Sequence, residues 1–273
     1  MLTIFSTAVL IGTVALFAAD KKGKTNLNET GKLCVYMIIP VAAALFFCLN
    51  AMSPAIDVTD PDTYSSVMSD VNASEELAPD PLWRYLKSNM AQLIMLIPTY
   101  IIAFIGCLSA VKNEVSAGKK DEVLKNAVLM IIAGTVFSAV SAVFALIVVY
   151  VAGSFAISMI GLLVVAVCLS LVSCGVFAIV FAVIVPIMLL FAGTNFIIVC
   201  LPYATSSFIW GSVFAFMHIL ALCMIIFVIR QMYTENHITK KKSILFGILS
   251  AVPVINLVII IKLRKKLKGA VHI

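Results

Sequence analysis

The longest charge-free stretch of this chain constrains its fold more than any other feature. Residues 126–229, 104 in a row, contain no Asp, Glu, Lys or Arg. A membrane-spanning helix needs roughly 20 consecutive apolar residues, so this stretch has room for four tightly joined spans. Spanning β-strands would alternate apolar and polar side chains, whereas this stretch is apolar on every face. It therefore predicts helices surrounded by lipid.

The composition extends that prediction to the whole chain, because 63% of the residues are hydrophobic and only 12% are charged. Soluble domains carry about 25% charged residues. We predict an all-α fold, a polytopic membrane helix bundle in which residues 1–273 form a single integral membrane domain. The seven predicted transmembrane helices are residues 1–19, 33–52, 88–111, 127–152, 154–173, 176–200 and 207–229.

Glycine and proline mark the predicted boundaries inside the charge-free stretch. We place turns at Gly153–Ser154, at residues 173–175 and at residues 201–203, because these residues punctuate helices. At the other end, residues 1–19 are interpreted as a retained first span and not as a signal peptide, because no basic region precedes the apolar run.

The distribution of basic residues predicts the orientation. Most of them, 17 of the 19 Lys and Arg residues, fall in four short segments, residues 20–32, 112–125, 230–242 and 262–268. Cytoplasmic loops of membrane proteins carry such an excess. We predict a multi-pass protein of the plasma membrane with its N-terminus outside and its C-terminus in the cytoplasm. Residues 53–83, with seven acids and no basic residue, then form an acidic extracytoplasmic loop.

The last apolar stretch, residues 243–261, has basic clusters on both sides and Pro253 near its centre. We predict a re-entrant hairpin turning at Pro253, with two limbs that each reach about 14 Å at 1.5 Å per residue. An eighth span and a helix lying in the interface are the alternatives. The basic cytoplasmic tail, residues 262–273, predicts contact with anionic lipid headgroups.

Two groups of residues in the charge-free stretch are candidates for a polar site. His218 is the ionisable one, about 18 Å along the helix from Arg230, and such residues inside a membrane are usually functional. Thr194 and Asn195 follow a predicted helix kink at Pro186, where unwound backbone would be available to a solute. We predict that His218, Thr194 and Asn195 line a solute site or make hydrogen bonds between helices.

Small residues predict where helices pack. Gly211 and Ala215 share a helix face with His218, so we expect the histidine to face a neighbouring helix. Residues 134, 138 and 142 form a similar seam of Gly, Ser and Ala. Such faces suit contact within the bundle and with protein partners.

Catalytic motifs are absent from the sequence. It contains no HExxH, GxSxG or GxxxxGK[ST] pattern, and its seven cysteines form no CxxC pair. We therefore predict no catalytic, cofactor-binding or metal site, no enzymatic activity, no cofactor and no nucleic-acid partner.

Three functional hypotheses follow. The first is a non-enzymatic integral membrane subunit of a transport, export or cell-envelope assembly, since a chain with little soluble mass and a charge-free core needs partners. The second is a self-sufficient channel or carrier for a neutral or lipidic solute. The third is an immunity protein that protects a membrane against a toxin.

Overall fold

A computed structural model describes residues 2–57, 81–172 and 176–270, with side chains outside the description in parts of the helices, residues 162–199 among them. Every element in the described ranges is a helix, which confirms the all-α prediction. The seven helices are α1 (Leu2–Lys21), α2 (Glu29–Asp57), α3 (Pro81–Ser116), α4 (Lys120–Val172), α5 (Val176–Thr234), α6 (Lys240–Leu249) and α7 (Pro253–Ala270).

Four stretches of these helices are long and apolar enough to cross a bilayer, as far as the described residues show. They are Glu29–Leu49, Ile94–Ser116, Lys120–Ser158 and Cys200–Thr234. Together they identify the chain as a helical membrane protein.

The two longest helices differ from the prediction. Helix α4 continues through Gly153 and Ser154, and α5 continues through residues 201–203, so the turns predicted at these two places are wrong. A glycine inside a helix costs only about 1 kcal/mol, and the Ser154 hydroxyl donates to the Tyr150 carbonyl oxygen one turn earlier, at 2.9 Å. The third predicted turn, residues 173–175, lies outside the described residues.

The chain divides into two compact units, and the first comprises residues 1–47, 85–139 and 210–273. In this unit α2 packs against α3 at one close approach. Tyr36 is 1% exposed, and a Cβ atom added at Gly106 would lie 2.6 Å from its ring. Only glycine leaves room for the ring at that position.

Helices α4 and α5 also pack against each other in this unit. A Cβ atom at Gly134 would lie 3.4 Å from the Met217 Cβ atom and 3.5 Å from the Phe214 ring. The Phe137 and Trp210 rings stack with centroids 5.3 Å apart. Because residue numbers fall along α5 as they rise along α4, the two helices are antiparallel here.

The second unit comprises residues 48–84 and 140–209. Within it, the Ser141 hydroxyl donates to the Ser207 carbonyl oxygen at 2.7 Å, and the Ser207 hydroxyl donates to the Ser141 carbonyl oxygen at 2.9 Å. One turn further along α4, the ring of Phe144 lies beside the ring of Tyr203 of α5, with centroids 6.5 Å apart. These contacts also join antiparallel stretches of α4 and α5.

The C-terminal stretch is a helical hairpin. Helix α6 ends at Leu249, the chain turns at residues 250–252, and α7 begins at Pro253. Proline suits this position because the first residue of a helix needs no backbone donor. The structure therefore has a break directly before Pro253, where the hairpin was predicted, and one straight helix across residues 243–261 is not formed.

Candidate functional site

His218 lies on α5 in an apolar setting. Its ring stacks on Phe214 of the same helix, with centroids 5.6 Å apart, and is half-buried. Its Nε2 atom is buried and has no hydrogen-bond partner among the described residues. Ala215 on the predicted packing face is exposed in this chain, so contact of this face with a partner stays a prediction. The described ring contact of the imidazole is therefore with Phe214 of its own helix. Its buried Nε2 atom lacks a hydrogen-bond partner in the described part of the chain.

The other predicted polar residues lie in the lower-numbered half of α5. The backbone is helical at Pro186 and from Gly193 to Asn195, where unwinding was predicted. The side chains of Thr194 and Asn195 lie outside the described residues, so their part in a solute site stays a prediction. The kink at Pro186 also stays a prediction.

Polar side chains come together where α1, α2 and α3 meet. The Lys32 ammonium group lies 2.7 Å from the Asp20 carboxylate and 2.9 Å from the Glu29 carboxylate. The Asn113 amide donates to Glu29 at 3.2 Å. These contacts join the first basic segment, residues 20–32, to the end of α3.

A buried carboxyl group lies beside this network. Glu114 is 1% exposed, and its Oε1 atom accepts a hydrogen bond of 2.6 Å from the Thr30 hydroxyl. Its Oε2 atom is buried without a hydrogen-bond partner in the described residues. Thr30 is therefore the one described donor that compensates the removal of this carboxyl group from water.

A second network joins the start of α4 to α5 and α7. Lys120, 8% exposed, forms an ion pair with Glu235 just beyond α5. The Arg264 guanidinium group of α7 donates two hydrogen bonds to the Asp121 carboxylate, at 2.6 and 3.3 Å. The hydrogen bond from Lys120 lowers the pKa of Glu235, and the hydrogen bond to Asp121 raises the pKa of Arg264.

The two networks connect all four basic segments of the sequence. Segment 20–32 contacts segment 112–125 through Thr30 and Glu114, and segment 112–125 contacts the other two through Lys120 and Asp121. All of these residues belong to the first unit. The ends of the helices that carry the basic residues therefore meet at one end of that unit.

The ion pairs at this end of the first unit join the ends of several helices. The described residues contain no group of three or more His, Cys, Asp or Glu side chains that could hold a metal ion. Each of the inward-facing cations Lys32, Lys120 and Arg264 has a carboxylate partner. The network can fix the positions of α4, α5 and α7.

Sequence reasoning missed Glu114 because it assigned residues 112–125 to a solvated loop. A signal was present: Cys107, Ala110 and Glu114 recur at helical spacing, and all three are buried. Asn256 on α7 was missed as well. It is fully buried, and neither atom of its amide group has a hydrogen-bond partner among the described residues.

Comparison of the chain with protein-family models, with curated proteins and with solved structures finds no match in any of the three.

Proposed function

We propose that this protein is a non-enzymatic integral membrane subunit of a transport, export or cell-envelope assembly. The observation that carries the proposal is the apolar, exposed surface of α4, which is longer than a bilayer is thick. In this role the chain has no catalytic activity. It spans the membrane, and its helices contact partner chains.

The length of α4 supports this. Residues 126–172 are 47 consecutive uncharged residues of one helix, which at 1.5 Å per residue is about 70 Å. The hydrocarbon core of a bilayer is about 30 Å thick. About 40 Å of uncharged helix is therefore left over, unless α4 is strongly tilted or bent.

Several side chains in the described part of α4 are apolar and exposed. Val149 is 66% exposed, Ile157 is 72% exposed and Ile160 is 61% exposed. Removing apolar surface from water is worth roughly 25 cal/mol per Å², and large exposed apolar patches mark interaction sites. Where lipid does not reach, another protein chain would cover this surface.

The proposed topology has five crossings. Helices α1 to α5 each cross the plasma membrane once, and the α6–α7 hairpin re-enters from the cytoplasmic side. The N-terminus is then outside, and the four basic segments and the C-terminus are cytoplasmic, as positive residues favour. The contact of Lys120 with Glu235 agrees with the two ends of the α4–α5 pair lying on one side. Seven spans would need breaks in both helices.

Labelling of residue 174 distinguishes these topologies. With five crossings the α4–α5 connection lies outside, whereas with seven spans it lies in the cytoplasm. We expect a membrane-impermeant maleimide to label Cys174 in intact cells when the other six cysteines are replaced by serine. A cysteine at Ser65 serves as the external control and one at Gly269 as the cytoplasmic control. Labelling of Cys174 only after permeabilisation would support seven spans.

Photocrosslinking tests the subunit proposal directly. A photoreactive amino acid at Ile157 is expected to crosslink to a partner chain, whereas one at Ile132, which is 55% exposed on the same helix, should crosslink mainly to lipid. A mild-detergent pull-down with mass spectrometry should recover the same partner at fixed stoichiometry. Crosslinks from Ile157 to lipid alone, together with a single purified species, would overturn the proposal.

The second candidate is a self-sufficient channel or carrier for a neutral or lipidic solute. The Nε2 atom of His218 favours it, because this buried polar atom has no hydrogen-bond partner among the described residues and could receive one from a solute. Purified protein in liposomes would then transport alone, and His218→Leu would abolish transport while His218→Gln would retain part of it. Liposomes that stay impermeable to neutral solutes would exclude this candidate.

A further inference from the structure

We propose that the α6–α7 hairpin binds the headgroups of anionic phospholipids, through two basic clusters that the fold places at the same end of the hairpin. The first cluster opens α6 and consists of Lys240, Lys241 and Lys242. The second lies in the last turns of α7 and consists of Lys262, Lys265, Lys266 and Lys268. The inference needs the chain to lie in a membrane and does not depend on the subunit proposal.

Most of the positive charge of this region has no carboxylate partner among the described residues. Residues 236–273 contain eight Lys and Arg residues and no Asp or Glu. Arg264, which is half-buried, is neutralised by Asp121 of α4. The seven lysines of the two clusters are exposed, and among the described residues none of them forms an ion pair with a carboxylate. The region therefore presents a surface that needs external anions.

The fold brings the two clusters together. The Lys266 ammonium group donates to the carbonyl oxygen of His237 at 3.4 Å, and His237 is three residues before Lys240. The chain reverses at residues 250–252 between them. Clusters that are separated in sequence by the whole hairpin therefore meet at its open end.

The beginning of α6 adds to the excess of positive charge. Thr239 precedes the helix without a side-chain capping hydrogen bond, and the first turn contains no acidic residue. Lysines at a helix N-terminus are unfavourable because the helix dipole is positive there. An external anion between the clusters would reduce this repulsion.

The apolar edge of the hairpin identifies the occupant as a lipid. Helix α6 has no buried residue, and Ile244, Leu245 and Ile248 are 54%, 52% and 67% exposed. This apolar face starts two residues after Lys242. A phospholipid supplies a phosphate for the lysines and acyl chains for the isoleucines, whereas an acidic protein segment or a free phosphate matches the charge alone.

Helix α7 holds the hairpin against the rest of the first unit. Ile259, Ile260 and Leu263 are no more than 2% exposed, and Arg264 is tied to Asp121. Apart from Lys266, which donates to the His237 carbonyl oxygen, the lysines of the clusters make no contact in the described part of the chain that positions the hairpin. The other six lysines can therefore be replaced without removing such a contact.

Lipid retention by the full-length protein tests the proposal. The protein is equilibrated in vesicles with equal amounts of phosphatidylglycerol and phosphatidylcholine and extracted in mild detergent, and the bound lipids are quantified by mass spectrometry. We expect several-fold enrichment of phosphatidylglycerol. Replacing the first cluster by K240Q/K241Q/K242Q should reduce the enrichment about tenfold, since each basic residue near an anionic surface contributes measurably. The variant K262Q/K265Q/K268Q of the second cluster, which keeps Lys266 and its hydrogen bond to His237, should do the same.

Two control variants test whether the enrichment depends on the position and on the charge of the lysines. The variant K21Q/K22Q/K24Q removes three exposed lysines from the end of α1 and the linker after it, and should keep the enrichment. Replacing the first cluster by arginines should also keep it, because the charge is retained. Equal retention of both lipids by the unchanged protein would overturn the proposal. So would enrichment that survives loss of both clusters, or an equal loss in the linker control.

An acidic protein segment as the occupant is also distinguished. A polyglutamate peptide that binds with the same affinity in pure phosphatidylcholine and in the mixed bilayer would identify an acidic polypeptide as the ligand and overturn the lipid assignment. Under the lipid proposal, phosphatidylglycerol competes with the peptide and weakens its binding.

Discussion

Ser141 and Ser207 hydrogen-bond to each other's backbone: each hydroxyl donates to the carbonyl oxygen of the other residue, at 2.7 and 2.9 Å. Apolar side chains alone do not define how two helices align in lipid, because lipid chains are as apolar as the side chains. The two hydrogen bonds between Ser141 and Ser207 are directional, so they fix how α4 and α5 align at this level.

Ser141→Ala is therefore expected to destabilise the pairing of α4 with α5. Hydrogen bonds between membrane helices are worth about 0.5–1.5 kcal/mol, and a double-mutant cycle with Ser207→Ala should show coupling of this order. Thermal unfolding in mild detergent, followed by size-exclusion chromatography, measures it. Ser158→Ala is the control, since this hydroxyl bonds to Ser154 within α4. Strictly additive effects would contradict the reciprocal pair.

Gly106→Ala is expected to destabilise the protein by about 1–3 kcal/mol, the usual effect of overpacking a core. The added Cβ atom would lie 2.6 Å from the ring of Tyr36, and that ring is buried. Gly153→Ala is the matched control within a helix, because no atom lies within 4 Å of its added Cβ atom. Tyr36→Leu should partly rescue Gly106→Ala in the same unfolding assay, and a Gly106→Ala protein as stable as Gly153→Ala would show that the ring does not contact this glycine.

Thr30→Val is expected to destabilise the contact of α2 with α3 by about 1–3 kcal/mol, because it leaves the buried Glu114 carboxyl group without its described donor. Glu114→Gln in the Thr30→Val background should recover part of the loss, since an amide is easier to bury than a carboxylate. Thr135→Val removes a hydroxyl that bonds to Ile131 within its own helix and serves as the control. If Thr30→Val unfolds at the same temperature as this control, Glu114 does not depend on Thr30.

The pair of Lys120 and Glu235 predicts a response to acid. The hydrogen bond from Lys120 lowers the pKa of Glu235 below its ordinary value of 4.5. The resulting stabilisation is therefore present above about pH 4.5, and it is lost as the pH falls through the lower pKa of the folded protein. Because the Glu235 side chain is 33% exposed, we expect an effect below about 1 kcal/mol.

Glu235→Gln should consequently lower the unfolding temperature slightly at pH 7, and this difference should shrink as the pH falls through the lowered pKa of Glu235 in the unchanged protein. Glu122→Gln, an exposed position on α4, is the control with little expected change at either pH. An unfolding temperature that rises in Glu235→Gln at pH 7 would show that this ion pair does not stabilise the folded state.

Several features could be predicted from sequence because one local property decides each of them. The 104-residue charge-free stretch determines that the chain belongs in lipid. The break beside Pro253 follows from a proline in the middle of a short apolar stretch. The four basic segments were grouped on one side by their charge, and contacts such as that of Asp121 with Arg264 join them.

The sequence alone indicates that the chain lies in lipid, whereas the tertiary structure is needed to show where the helices begin and end and which residues they bury. A glycine such as Gly153 weakens a helix by about 1 kcal/mol, too little to determine alone whether α4 breaks there or continues. Glu114 is charged and was assigned to a loop, yet it is buried because Thr30, 84 residues away, supplies a hydrogen bond. Small local preferences are decided by distant neighbours, and those neighbours become known only when the chain has folded.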